Sequence, residues 1–187
     1  MTAPGRRYTY VGPQDLRRTV VRGAGGRVIR SAADLDGDPA TADDEEPFTY
    51  VVALDGLLRL APRRSEHVAC AEGEEVLGAG EISFHRTPHG PRVLEVGNQS
   101  TGYCPDPDSW PAVAAALDRA GIGRPDGFTH TLVFRRCEGC GEHNVVREGV
   151  FVCVFCDDDL PLTWNMTPPG GQGPSTDRPR PWTGARS

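Results

Sequence analysis

Four cysteines in the C-terminal part of the chain, Cys137, Cys140, Cys153 and Cys156, are spaced C-x2-C-x12-C-x2-C. Two residues between paired thiols let both sulfurs of a tight knuckle face one ion. The second pair closes the tetrahedral shell that Zn²⁺ favours. Four thiolates leave no position open for water, so the expected chemistry is structural, with one Zn²⁺ as cofactor. The same sulfurs suit iron in a rubredoxin-like site, and spacing alone does not separate the two metals. A redox dithiol fits less well, because one CxxC suffices for it and that pair opens a helix in a βαβ setting. His143 lies close enough in sequence to replace a ligand. With four cysteines present it is expected beside the shell or facing solvent.

The residues between and before the pairs suit a metal knuckle. Gly141 follows the first pair, where the backbone must turn its amides toward sulfur. Val145-Val146-Arg147 and Val150-Phe151-Val152 flank Glu148-Gly149, which reads as a short hairpin, and Thr131 to Arg136 reads as a strand feeding the first knuckle. Together these features make residues 130–164 resemble a zinc ribbon. That resemblance implies a small metal-stapled module and no particular activity. Arg135-Arg136 and Asp157-Asp158-Asp159 are expected to be exposed at the two knuckles.

Other residues are candidates for catalysis. Cys104 is the best lone nucleophile, in a loop between a strand and a helix, with His67, His85 or His89 as the imidazole that would activate it. No family signature surrounds it, Asp106 and Asp108 oppose thiolate formation, and an ordinary buried cysteine is the simpler reading. Cys70 reads as a core residue. Glu81 and Glu95 on neighbouring strands form a nominal carboxylate pair, though such pairs more often face solvent or an arginine. The loop Asn98-Gln99-Ser100-Thr101-Gly102 is rich in donors and acceptors, which either bind a ligand or satisfy the loop's own backbone.

The elements that would position these residues are legible in part. Phe48 to Leu54 and Leu57 to Leu60 flank Asp55-Gly56, a strong hairpin signal. A second hairpin runs from Gly80–His85 through Pro88-His89-Gly90 to Arg92–Val96. One helix follows, capped by Asp108 or Ser109, with Val113, Ala114, Leu117 and Ala120 as its apolar stripe and Gly121 or Gly123 as its stop. The expected fold class is α+β: a small antiparallel, hairpin-rich domain with one main helix, then the zinc ribbon. Four segments are expected: an Arg-rich arm with an acidic linker at 1–47, partly disordered, an α+β domain at 48–129, the ribbon at 130–164, and a disordered Pro/Gly-rich tail at 165–187.

Residues 65–117 are similar to a domain of plant IQ-motif calmodulin-binding proteins and some bacterial toxin-like proteins. The matching stretches are Glu66-His67-Val68, then Glu74-Glu75-Val76-Leu77-Gly78-Ala79-Gly80-Glu81-Ile82, then Asn98-Gln99-Ser100-Thr101-Gly102-Tyr103-Cys104-Pro105. The last answers to an N-x-S-G-H-Y-x-P motif, but Thr101-Gly102 stands where that motif has Gly-His, so its histidine is missing. The calmodulin-binding segment has no counterpart. The resemblance implies a fold class rather than an activity.

Composition bounds the function. The chain of 187 residues has 37% hydrophobic residues, 23 Gly and 17 Pro, so part of it is not expected to pack. All 20 basic residues are arginine. That excludes a lysine phosphate-binding loop, a Schiff base and a lysine general base. The net charge of −6 argues against general nucleic-acid binding. Between Arg135 and Trp164, three arginines face six acids, and a Zn(Cys)4 centre adds further negative charge. Only the N-terminal arm, with seven arginines before residue 31, would suit a polyanion. No apolar run reaches membrane-spanning length and no signal-like stretch opens the chain, which with paired thiols points to the cytoplasm. The expected function is a non-enzymatic, zinc-binding interaction or regulatory module with an unknown protein partner. An enzyme or ligand-binding domain with a pocket around His67, His85 and the Asn98–Pro105 loop is the competing expectation, and nucleic-acid binding through the arm is the third.

Overall fold

The computed structural model describes residues 5–36 and 46–167. The acidic stretch 37–45 and the segment 168–187, expected as linker and tail, lie outside the described residues.

The architecture is α+β, with mostly antiparallel sheets and few helices. Asp55-Gly56 turns the chain between β2 (Phe48–Ala53) and β3 (Leu58–Ala61), as the dipeptide predicts. The second hairpin joins β4 (Val76–Thr87) to β5 (Gly90–Val96); β4 begins four residues before the predicted start. With β1 (Arg27–Ile29) these strands form one antiparallel sheet in the order β1-β3-β2-β4-β5.

The sheet is covered on both faces, which explains the near-continuous apolar run in β2. On one face Tyr50, Val52, Leu58 and Ile82 pack against Val113 and Leu117. These two come from α3 (Trp110–Ala120), which starts after Ser109 and stops at Gly121, within the predicted boundaries. On the other face Val51, Val76 and Ala79 pack against Tyr8, Tyr10, Tyr103 and Val68. Val68 belongs to α2 (His67–Cys70), a single turn that periodicity does not reveal.

The N-terminal arm is built into this second layer. Tyr8 exchanges backbone hydrogen bonds with Val76, at 2.8 and 3.1 Å. A short helix, α1 (Gln14–Arg18), lies beyond it, and β1 closes the edge of the sheet against β3. Some of its arginines reach the rest of the fold: Arg6 lies over Trp164, Arg7 pairs with Glu75 and Arg22 with Glu74, while Arg18 pairs locally with Asp15.

A close backbone crossing joins the two halves of the chain. The strand leaving β5 passes over Gly80, where a Cβ would sit 1.9 Å from the Gly97 carbonyl oxygen. The buried Tyr50 hydroxyl donates to that same oxygen at 3.0 Å. Next to it, the fully buried Asn98 side chain donates to the carbonyls of Pro105 and Leu132 and accepts from the Leu132 amide. The loop is thereby tied to the strand that leads into the cysteines.

Candidate metal centre

That strand, β6 (Val133–Arg136), pairs antiparallel with β7 (His143–Val146), and the first cysteine pair forms the turn between them. In this turn Cys137 N donates to Glu142 O at 2.9 Å and Gly141 N to Cys137 O at 3.0 Å. The second pair repeats the pattern. Cys153 N donates to Asp158 O at 2.8 Å and Asp157 N to Cys153 O at 3.0 Å. Both knuckles need a left-handed residue right after their second cysteine: Gly141 has φ +81° and Asp157 φ +61°. Glycine meets that need without strain, aspartate less well. Asp157→Gly is therefore expected to stabilise the chain by up to about 1 kcal/mol, read as a raised denaturation midpoint. An unchanged or lowered midpoint would refute the strain.

The two knuckles face each other and bring all four Sγ atoms within 4.8 Å of one another. Cys137 and Cys156 sulfurs are 3.5 Å apart, those of Cys140 and Cys153 3.6 Å. Disulfides hold sulfur at about 2.0 Å, so these are separate thiols. A tetrahedron with Zn–S of about 2.3 Å has edges of about 3.8 Å. The cluster fits a structural zinc ion.

Groups around Cys153 favour its thiolate, whereas the backbone hydrogen bonds to Cys140 and Cys156 are outweighed by desolvation and the neighbouring thiols, which push both up. Asn144 is buried and braces both knuckles: its Nδ2 donates to Glu142 O and lies 3.5 Å from Cys153 Sγ, while its Oδ1 accepts from Val154 N. Burial opposes ionisation of Cys153. Hydrogen bonds from the Phe155 and Cys156 amides and from Asn144 outweigh it and bring the thiol down to about 6. His143 is exposed on β7 and takes no part in the sulfur cluster. Asn144 is not legible as a brace in the sequence, because an amide side chain two residues into a strand carries no signal until the second knuckle folds against it.

The module is fastened to the sheet domain through buried polar contacts. Arg135, expected on the surface, is only 6% exposed. Its guanidinium donates to the carbonyls of Phe134, Pro161 and Leu162, and lies 3.6 Å from an Asp106 carboxylate oxygen. A partner 29 residues away neutralises the charge that made exposure the natural expectation. Trp164 Nε1 donates to Cys104 O at 2.8 Å, and its ring meets Tyr8 edge-on. Asn165 bonds both backbone groups of Arg136 and Met166 is buried, so these two expected tail residues pack into the fold. Asp157, Asp158 and Asp159 are exposed.

Cys104, His67 and His85 are not gathered at one point, whereas Glu81, Glu95 and Gln99 line one cavity. Cys104 is buried with Phe134 and Met166, and burial pushes its thiol up to about 12. Its Sγ donates to Thr101 O at 3.2 Å rather than to an imidazole. His67 opens α2 with Nε2 3.0 Å from Gly80 O, so that nitrogen carries the proton in the neutral ring. His85 lies five residues further along β4, about 17 Å at the usual rise per residue. Cys70 is a core residue. A cavity of about 440 Å³ runs beside the loop, lined by Glu81, Ser83, Glu95, Gln99, His130 and Thr131 among others. None of His67, His85 and Cys104 lines it.

The burial of His67 has a measurable consequence. Burial lowers its pKa, outweighing the Gly80 carbonyl and the charges of Glu81 and Glu66. A folded-state pKa below the unfolded value of about 6.5 means that protons favour the unfolded chain. This contribution is fully present above about pH 6.5 and fades as pH falls through the folded pKa. The stability advantage of wild type over His67→Gln should therefore shrink between pH 7.5 and pH 5. A difference that stays flat across that range contradicts the assignment.

Fold and site together define an antiparallel α+β domain carrying a four-cysteine cluster of metal-binding geometry. No protein family, curated protein or solved structure matches this chain. Among the described residues, no helix is long and apolar enough to cross a membrane.

Proposed function

We propose that the chain is a non-enzymatic cytoplasmic interaction or regulatory module whose residues 130–164 form a zinc ribbon around one structural Zn²⁺. The observation that carries this reading is the four-sulfur cluster. Cys137, Cys140, Cys153 and Cys156 would each supply one thiolate, and a full thiolate shell holds structure rather than activating water. The buried Cys104 thiol, bonded to a carbonyl rather than to an imidazole, supports a non-catalytic reading. The paired arginines of the arm and the acidic ribbon favour a protein partner over nucleic acid.

Metal analysis of chain purified under reducing conditions tests the centre. One zinc per chain is expected; iron or no bound metal ends the zinc reading. Capture from nuclease-treated lysate tests the role. A stoichiometric protein partner lost on Cys140→Ser supports an interaction module. A clean preparation, or small molecules retained by the cavity beside Gln99, moves the function to ligand binding.

A further inference from the structure

The second knuckle carries an apolar surface that its own fold leaves uncovered. Approaching it, Phe151 and Cys153 turn inward, packing with Val146, Cys137 and Leu160. Val150 and Val152 take the opposite side and stay exposed. A segment with one solvated face ordinarily alternates apolar with polar residues; this one is apolar on both. The knuckle extends the surface with Val154 and Phe155, 76% and 63% exposed, and Leu162 at 75% lies in the same module. Of the eight large apolar side chains that stand exposed among the described residues, these are five. The metal shell does not explain them, since Glu138 and Gly139 occupy the equivalent places in the first knuckle.

The rim is acidic. Glu148 begins the turn before Val150, Asp159 bridges to Val152, and Asp157 and Asp158 follow the second knuckle. All four are exposed, and none forms an ion pair among the described residues. An apolar centre with a charged rim is the anatomy of a docking surface. Its charge selects the occupant. A second copy of this chain would bring the same carboxylates against these, and so would any acidic segment. A cationic rim around an apolar anchor complements it.

We propose that the Val150–Phe155 face docks a segment of another protein in which an apolar side chain is flanked by arginine or lysine. This rests on the interaction-module reading and adds the surface and the chemistry of the partner.

The test uses the zinc-loaded full chain and three fluorescent octapeptides: alternating arginine–valine, alternating glutamate–valine and alternating arginine–serine. Fluorescence polarisation should show binding of the arginine–valine peptide alone. Val154→Ser combined with Phe155→Ser should weaken it at least tenfold at unchanged zinc content. Both side chains are exposed, so the fold should tolerate the change. Asp158→Asn with Asp159→Asn should flatten the dependence on salt. Equal binding of the arginine–serine peptide, or no effect of the serine pair, reduces the surface to bare charge and overturns the proposal. So does a dimer that the serine pair abolishes, since the occupant is then a second copy. A zinc-loaded chain that ignores the arginine–valine peptide sinks this surface while leaving the module reading to the capture experiment. A chain without zinc fails the module reading itself.

Discussion

A Cys140→Ser chain should lose the zinc proposed for the four sulfurs and, with it, the fold of the cysteine knuckles. Three thiolates and a hydroxyl bind far more weakly, and in small zinc modules apparent binding energies of about 10–16 kcal/mol are largely folding energy. Little else holds the knuckles themselves, since the anchors to the sheet domain attach β6 rather than the cysteine turns. Their own apolar cluster contains only Leu160 besides two of the ligands, with Val146 and Phe151 beside it. Amide hydrogen exchange protection should therefore collapse at the knuckle amides of Gly141 and Asp157 and weaken along β7, with β6 held in part by Phe134, Arg135 and Asn165. The sheet core around Tyr50, Ile82 and Leu117 includes no residue of the module and should keep its protection. Protection that persists at both knuckles in the variant would show that the sulfurs are not what closes them.

Gly80→Ala should cripple the sheet domain with the metal centre untouched. The added methyl would stand 1.9 Å from the Gly97 oxygen, and that obstacle is backbone, held in place by the Tyr50 hydroxyl. Neither side can yield cheaply. Gly80 lies within the β4 register opposite Tyr50, and Gly97 is itself bridged to His130. Overpacking in a well-packed interior costs about 1–3 kcal/mol. A clash with fixed backbone belongs at or above the top of that range. Urea denaturation gives the number; a loss below about 1 kcal/mol would show that the crossing strand is free to move. Retention of one zinc per chain in this variant would separate the two halves of the protein energetically.

Legibility in the sequence followed how local each determinant is. The Asp55-Gly56 turn, the Ser109 and Gly121 ends of α3 and the two cysteine pairs are set by residues within a few positions of one another, and each was readable. β1 escaped notice because it is a three-residue edge strand with only Ile29 buried. Tyr8 looked like part of a cationic arm because its partner, Val76, is far along the chain. Arg135 looked exposed because nothing nearby in sequence announces Asp106. The Asn98 loop divided more evenly. Its richness in donors and acceptors was plain, and the structure directs Asn98 to backbone groups on both sides, while Gln99 alone among the named donors lines the adjoining cavity. In the resemblance of residues 65–117, Gly80 and Asn98 belong to separate motifs. They are neighbours in space, and the crossing at Gly80 gives that pairing a steric reason.

The two knuckles are the same six-residue cassette used twice. Each begins with a cysteine whose amide and carbonyl close the loop on itself, and each ends in the same backbone exchange. A metal held by the four sulfurs would require the cysteines, and the knuckle turn requires the left-handed residue after them; neither requires anything of the two residues in between. One copy fills those slots with Glu138 and Gly139, the other with Val154 and Phe155. Under the proposed docking role, the Val154 and Phe155 slots are a display position: exchanging those two exposed side chains would change what the knuckle can bind while leaving the cysteines in place.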